Sequence, residues 1–234
     1  MKDYSGLFQE WYSTSLIADA AFRTGTAAKL PASGLRPLDV HGKLAGPAVT
    51  VEANNDLVSV LEAVHRAEPY DVVVISNQTP DVAVMGDLIG AEAVRKELAG
   101  FVVDGMVRDA VELVDLELPV FCRGSYPVGQ LKVAPETRGI GTVGEPVSIG
   151  GATVVQGAWV FGDADGLVIL DADSLPAVFK AVEAAWEQEE ALADEISSGV
   201  SLAEAFDLDS FLAKRSEDPR ADFGTHIAQL NRAI

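Results

Sequence analysis

Two carboxylates and one guanidinium stand where two successive loops of the chain are expected to meet. Asp87 follows the apolar segment 71–76, and Arg108 with Asp109 follows the next apolar segment, residues 101–103. An arginine binds a carboxylate or a keto oxygen through two parallel hydrogen bonds. A carboxylate gives an oxygen ligand to Mg²⁺ or Mn²⁺, and Mg²⁺ often uses only one or two because it keeps several waters. These residue types therefore suit the binding of a small oxo acid beside a divalent cation.

The surrounding elements are predicted to hold these residues at one edge of a parallel sheet. Residues 71–122 have the pattern strand, helix, strand, helix, strand, with helices near 88–98 and 109–116. Strands joined by such helices run parallel, and the loops after their carboxyl ends gather at one edge, where ligands bind. The sequence therefore predicts an α/β fold with a ligand site between the two loops.

Both acids also stand at predicted helix starts, where backbone N–H groups without a partner favour anions. We therefore expect the amides of Leu88 and Ile89 to bind the second oxygen of a carboxylate held by Arg108. A simpler explanation exists, because Asp commonly caps helix N-termini and an isolated Arg is most often a surface residue. The spacing of Asp87, Arg108 and Asp109 leaves both interpretations open.

The rest of the chain is predicted to complete one domain, residues 1–200, followed by a helical tail, residues 201–234, that packs on the domain or on a neighbouring subunit. Asp104-Gly105 is expected to form a turn. The other expected elements are helices at 13–24, 57–66 and 174–198, a strand at 48–51, a hairpin of 159–161 with 167–170, and a capping box at 201–204. Leu57, Val60, Leu61 and Val64 are expected to share one face of the helix at 57–66.

Composition argues against several classes of function. The 234 residues carry a formal net charge of −19, so a basic surface for nucleic acid is not expected. No apolar run approaches the ~20 residues of a membrane span, and no secretory pattern is seen, so a cytoplasmic location is expected. Cys122 is the single cysteine, which excludes an internal disulfide, and its place in a predicted strand indicates a buried thiol.

The spacing of the charged residues resembles a known signature. Asp87, twenty intervening residues and then Arg108-Asp109 are similar to the pattern shared by class II 4-hydroxy-4-methyl-2-oxoglutarate (or 4-carboxy-4-hydroxy-2-oxoadipate) aldolases and proteins related to the regulator of ribonuclease activity A. The segments that agree are 46–51, 85–90, 103–109, 146–151 and 162–166, and the likeness covers roughly residues 13–200.

The resemblance implies a compact, α/β/α-layered domain that forms a homotrimer or a dimer of trimers. It implies a pyruvate aldolase that also decarboxylates oxaloacetate and uses Mg²⁺ or Mn²⁺. The metal would be held by Asp109, and Glu189 or Glu190 of a neighbouring subunit would reach it through water.

The resemblance also implies roles for the two loops. Pyruvate would contact Arg108 and the amides of Leu88 and Ile89, beside the loop glycine Gly86. Asp87 would hold the water that serves as the base.

Two alternatives go with the same resemblance. A non-catalytic regulator of a ribonuclease would bind its partner through a surface and would catalyse no reaction. A demethylmenaquinone methyltransferase would need a glycine-rich loop for S-adenosylmethionine after the first strand, and the sequence has none there.

Overall fold

The computed structural model describes residues 3–32, 34–77, 79–230 and 232. The chain divides into two compact units, Met1–Val178 and Phe179–Ile234. The helices are α1 (Tyr4–Glu10), α2 (Thr14–Thr24), α3 (Leu57–Arg66), α4 (Asp87–Arg95), α5 (Ala110–Asp115), α6 (Leu175–Ser197), α7 (Leu202–Ala205), α8 (Leu208–Glu217) and α9 (Phe223–Gln229). The strands are β1 (Arg36–Pro37), β2 (Leu44–Glu52), β3 (Val72–Ser76), β4 (Gly100–Val107), β5 (Val120–Ser125), β6 (Thr142–Val143), β7 (Val147–Ile149), β8 (Ala152–Val154), β9 (Trp159–Asp163) and β10 (Gly166–Leu170).

A largely parallel sheet forms the centre of the first unit. Its strand order is β1-β5-β4-β3-β2-β9-β10, with β6 paired to β2. Strands β2, β3, β4 and β5 run parallel, whereas β1, β6, β9 and β10 join the sheet antiparallel. The predicted α/β fold with parallel crossovers is confirmed.

Both faces of the sheet are buried, as continuous apolar strands require. Val73 and Ile75 of β3 belong to the core cluster that includes residues of α3, α4 and α5. Val72 and Val74 belong to the cluster on the opposite side, which includes residues of the β7–β8 pair. The unbroken apolar run of β3 is thus explained by its central position.

The prediction of a turn at Asp104-Gly105 is wrong. Both residues lie inside β4, which continues to Val107. The carboxylate of Asp104 is buried and pairs with Arg123 of β5, while the Gly150 N–H donates to its Oδ2 at 2.7 Å. A glycine is needed at 105 because a Cβ there would lie 2.6 Å from the Asn77 carbonyl oxygen. Strand β4 therefore continues through Asp104 and Gly105, because the acid is paired and the glycine allows the backbone of Asn77 to approach.

Several local predictions hold. Ser13 accepts from the Leu16 N–H at the start of α2, and Gly25 follows the helix in the left-handed region. The predicted hairpin is formed by β9 and β10. Helix α3 has the predicted bounds, although it buries Ser59 and Ala63 with Val60 and Val64, whereas Leu61 is 49% exposed.

The second unit is a small helical body. Its apolar cluster contains Leu192, Ala205, Phe206 and Ile227, with Val200 and Phe223 packed against them. The predicted capping box is confirmed, because Ser201 accepts from the Glu204 N–H and Glu204 accepts from the Ser201 N–H. In the part of the chain that the structure describes, no helix has the length and hydropathy to cross a membrane.

Candidate active site

Backbone hydrogen bonds join the two predicted site loops directly. The Arg108 N–H donates to the Met85 carbonyl at 3.0 Å, and the Val84 N–H donates to the Met106 carbonyl at 2.9 Å. On the other side, the Ala83 N–H donates to the Val128 carbonyl at 2.8 Å. The segment 83–85 therefore lies between the end of β4 and the loop after β5, and it carries Asp87 to the same place as Arg108.

A glycine is required at position 86 because there is no space for a side chain, and not because of its backbone conformation. Its φ of −150° and ψ of −162° are extended and open to any residue. A Cβ at this position would clash with Oδ2 of Asp109 and would lie 3.0 Å from Cγ of Arg108. The predicted site glycine thus makes room for the two charged side chains of the neighbouring loop.

Asp109 has an unusual backbone. Its φ of 55° and ψ of 46° are left-handed, a conformation that Asp tolerates better than most residues and that is frequent at functional sites. It precedes α5, but its side chain makes no capping hydrogen bond. Instead its Oδ2 lies 3.2 Å from Nε of Arg108, with the two side chains 34% and 45% exposed. The helix-cap explanation that the sequence left open is therefore not supported for Asp109.

Asp87 is the first residue of α4, with Gly86 at the cap position. Its Oδ1 accepts from the N–H of Leu88 at 2.8 Å. One of the two amides predicted to bind a ligand, that of Leu88, is thus occupied by the carboxylate predicted to hold the basic water. A ligand carboxylate that uses the Leu88 amide would have to displace the Asp87 oxygen.

These residues line one cavity of about 370 Å³. The two predicted loops contribute Gly86, Asp87, Leu88, Ile89 and Arg108 to its wall. Asp109 contacts Arg108 but is not part of the lining. The structure therefore brings together all the predicted residues of the two loops, while their chemical roles stay predictions.

Two further parts of the wall were not foreseen from the sequence. The first is Gln130, Leu131 and Lys132, a short 3₁₀ turn after β5, and the second is the pair Leu57 and Leu61 on α3. Residues 124–142 have no helical or strand periodicity that would predict a cavity wall. The available signal was the apolar stripe of α3, which includes Leu57 and Leu61 beside the buried Val60 and Val64.

Comparison with known proteins identifies the family. Residues 14–169 match the RraA-like family, described as Aldolase/RraA. The chain belongs to the RraA-like family. A protein of Halalkalibacterium halodurans named "Putative 4-hydroxy-4-methyl-2-oxoglutarate aldolase" is 34% identical over 176 residues, covering 74% of this chain and 81% of that protein. The resemblance stated from the charged motif is thereby confirmed.

Solved structures agree with this RraA-like fold. An uncharacterized protein from Pseudomonas syringae has a TM-score of 0.72 at 24% identity, covering 85% of this chain and 94% of that chain. Streptomyces coelicolor RraAS2, described as an unusual member of the RNase ES inhibitor RraA protein family, has a TM-score of 0.66 at 25% identity. That match covers 81% of this chain and 92% of RraAS2.

The RraA-like site offers few metal ligands. Among the residues that the structure describes, no three or more His, Cys, Asp and Glu side chains are grouped to hold a metal ion. The Asp109 carboxylate is partly exposed and free of capping bonds, so it leaves space for water. One carboxylate with several waters suits Mg²⁺ or Mn²⁺ and does not suit a closed zinc site. The donor set therefore fits a hydrated, oxygen-bound cation.

Glu189 and Glu190 lie on α6, in the second unit. The prediction that one of them reaches the metal of a neighbouring subunit concerns two copies of the chain, and it stays a prediction. Cys122 is buried in β5 as predicted, and burial raises the pKa of its thiol, which argues against a nucleophilic role.

Proposed function

We propose that this RraA-like protein is a divalent-metal-dependent pyruvate lyase. It would cleave 4-hydroxy-4-methyl-2-oxoglutarate or 4-carboxy-4-hydroxy-2-oxoadipate type substrates to pyruvate, and it would decarboxylate oxaloacetate. The observation that carries the proposal is that Asp87 and Arg108 line one cavity, with the Asp109 carboxylate held against the Arg108 guanidinium. The aldolase name of the relative from Halalkalibacterium halodurans supports the same class of reaction.

Substrate binding would use the cationic side chain and the start of α4. Arg108 offers a planar fork for the carboxylate or keto oxygen of the oxo acid. The first-turn N–H groups of α4 have no backbone acceptor within the helix, so the amide of Ile89, and that of Leu88 after release from the Asp87 side chain, suit a carboxylate oxygen. The oxo acid would then lie at the N-terminus of α4, beside Arg108.

The chemistry follows from where charge develops. Retro-aldol cleavage breaks a carbon–carbon bond and leaves the electron pair on the pyruvate half as an enolate. Arg108 stabilises the negative oxygen of that enolate, and Asp87 orients a water that accepts the proton of the substrate hydroxyl. Oxaloacetate decarboxylation yields the same enolate without a hydroxyl proton to remove, so the same residues serve both reactions.

Asp109 would hold the Mg²⁺ or Mn²⁺ ion, with Glu189 or Glu190 of a neighbouring subunit contributing through water. When bound, such an ion supplies Lewis-acid stabilisation of the developing charge. A Glu from a neighbouring subunit requires an oligomer, which we propose to be a homotrimer or a dimer of trimers. The mass of the assembly in solution, measured by light scattering, tests that part separately, and a monomer would contradict it.

The decisive experiment measures pyruvate release from oxaloacetate with Mg²⁺, corrected for the rate with Mg²⁺ alone. We expect Asp109→Asn to lose most of the enzymatic rate because the variant lacks the charged oxygen ligand. Glu117→Gln is the matched control, since Glu117 is an exposed acid outside the cavity with the same φ of 55°. No pyruvate above the metal-only rate, or equal rates for Asp109→Asn and wild type, would refute the lyase proposal.

A ribonuclease regulator is the second candidate, and the likeness to RraAS2 favours it. It predicts that the chain lowers the rate of a ribonuclease in an RNA-cleavage assay and releases no pyruvate. Retention of that inhibition by Asp109→Asn, together with the absence of lyase turnover, would reverse the order of the two candidates.

A further inference from the structure

Gln130 combines burial with an unused hydrogen-bond donor. The residue is 3% exposed and begins the 3₁₀ turn Gln130–Lys132. Its Nε2 is buried and has no hydrogen-bond partner among the described residues. Buried side-chain polar atoms nearly always have a partner, because an unpaired donor loses its hydration without compensation. A partner from outside the chain is therefore expected.

The cavity is where that partner would lie. Gln130 is part of its wall, together with Asp87 and Arg108. The preceding residue, Gly129, packs so closely on Arg108 that a Cβ there would lie 3.0 Å from Nη1 of the guanidinium. The hydrogen bond from the Ala83 N–H to the Val128 carbonyl fixes the same segment to the loop that carries Asp87. Gln130 and Arg108 are thus neighbours on one wall.

We propose that the Nε2 group of Gln130 donates a hydrogen bond to an oxygen of the oxo acid that Arg108 binds. The proposal rests on the proposed lyase function and adds a binding residue to the same site. It explains why the buried amide has no partner among the residues that the structure describes: the acceptor arrives with the ligand. A pyruvate oxygen is the chosen acceptor, since Gln130 and Arg108 line the same cavity and Gly129, the residue before Gln130, packs on Arg108.

The test compares ligand affinity with the stability of the free protein. Gln130→Met keeps the length of the side chain and removes the donor. We expect its melting temperature without ligand to equal or exceed that of wild type, because the free protein gains nothing from the unpaired amide. We expect pyruvate binding in the presence of Mg²⁺, measured by calorimetry, to weaken by about 10-fold or more, the typical loss for a hydrogen bond to a charged acceptor.

Turnover gives an independent readout. The hydrogen bond is made in both the bound substrate and the transition state, so KM for oxaloacetate should rise about 10-fold with kcat little changed. Gln130→Glu places an acceptor where the donor stands and should weaken pyruvate binding at least as much.

Gln156→Met is a control that should change stability and not ligand affinity. Oε1 of Gln156 accepts from the Thr50 N–H at 3.0 Å, away from the cavity, so its loss should lower the melting temperature and leave pyruvate affinity unchanged.

The outcomes separate this inference from the proposed function. If Gln130→Met melts earlier than wild type yet binds pyruvate equally well, Gln130 is structural and the inference is wrong, while wild-type turnover keeps the lyase proposal. If wild type neither binds pyruvate with Mg²⁺ nor releases it from oxaloacetate, both proposals are wrong.

Discussion

A left-handed backbone at Asp109 turns the chain sharply between β4 and α5. The turn directs the carboxylate against Arg108 and over the Cα atom of Gly86. Side-chain identity at these three positions is therefore coupled: the glycine supplies space for the arginine and the aspartate, whose charged side chains lie against each other. The sequence revealed these residue types and their spacing, but not that Gly86 is required by the volume of its neighbours.

Arg108→Lys should separate charge from geometry. A lysine keeps the positive charge but lacks the planar fork, so one charged hydrogen bond to the oxo acid is lost. We expect kcat/KM for oxaloacetate to fall about 10- to 100-fold, which corresponds to ~1.5–3 kcal/mol. Arg95→Lys is the control, because Arg95 is exposed and pairs with Glu92 outside the cavity. Equal kcat/KM for Arg108→Lys and wild type would exclude a two-pronged role.

Gly86→Ala should disturb the site through a single methyl group. The added Cβ would clash with Asp109, so the carboxylate or the 83–85 segment must shift. We expect at least about a 10-fold loss of turnover with ~1–3 kcal/mol of destabilisation, as for overpacked sites. Gly224→Ala is the control, since its Cβ would meet nothing nearer than 3.4 Å. Full activity in Gly86→Ala would mean that the Asp109 position is not critical.

At the scale of elements, β3 and α3 were predictable because local pattern and tertiary position agree. An unbroken apolar run became a central strand, and a segment that begins after Asp56, whose side chain accepts from the Val58 and Ser59 N–H groups, became a helix. Strand β4 was cut short in the prediction, since Asp104-Gly105 has the composition of a turn. Arg123 and the Gly150 N–H, both distant in sequence, make a buried Asp acceptable inside a strand, and no local pattern reports such partners.

Arg123→Met tests that partnership. The variant leaves the Asp104 carboxylate buried in β4 with the Gly150 N–H as a remaining donor. We expect the free energy of unfolding to fall by ~1–3 kcal/mol, because the buried Asp104 carboxylate loses a hydrogen-bond partner whose own side chain is 37% exposed. Urea unfolding followed by tryptophan fluorescence measures it.

Arg95→Met is the matched control for an exposed pair and should change the unfolding midpoint little. Equal midpoints for Arg123→Met and Arg95→Met would mean that the Asp104 pair contributes no more than a surface pair.

At the scale of the whole molecule, the two units differ in how they relate to the family. The match to the RraA-like family, residues 14–169, lies within the first unit, Met1–Val178. The second unit, Phe179–Ile234, lies beyond that match. Its helices were partly predictable from the capping box, but the cluster around Phe206 and Ile227 depends on packing among helices that the sequence pattern does not pair.

Acid should weaken the second unit. The Arg232 guanidinium lowers the pKa of Glu195, and hydrogen bonds from Ser201 lower that of Glu204. A carboxylate whose pKa is lowered in the folded state adds stability above its ordinary pKa and loses it as the pH falls through the folded-state value. We therefore expect the amide hydrogens of residues 201–205 to exchange faster, relative to the intrinsic rate, as the pH falls from above the ordinary pKa of Glu through the lower folded-state pKa of Glu204.

Glu204→Gln provides the control for this acid effect, because its side chain can still accept a hydrogen bond but cannot titrate. In this variant the protection of the amide hydrogens of residues 201–205 against exchange should depend less on pH than in wild type. Identical pH profiles for the two proteins would show that Glu204 does not carry the effect.

Cys122 gives the chain a built-in reporter. The single thiol is buried in β5, among the strands that carry the site loops, and burial raises its pKa. A water-soluble thiol reagent can react only after the sheet opens locally or globally, so the labelling rate measures that opening. A ligand that binds only the closed form should slow labelling in proportion to its occupancy. The natural sequence therefore allows ligand screening without an added probe or a turnover assay.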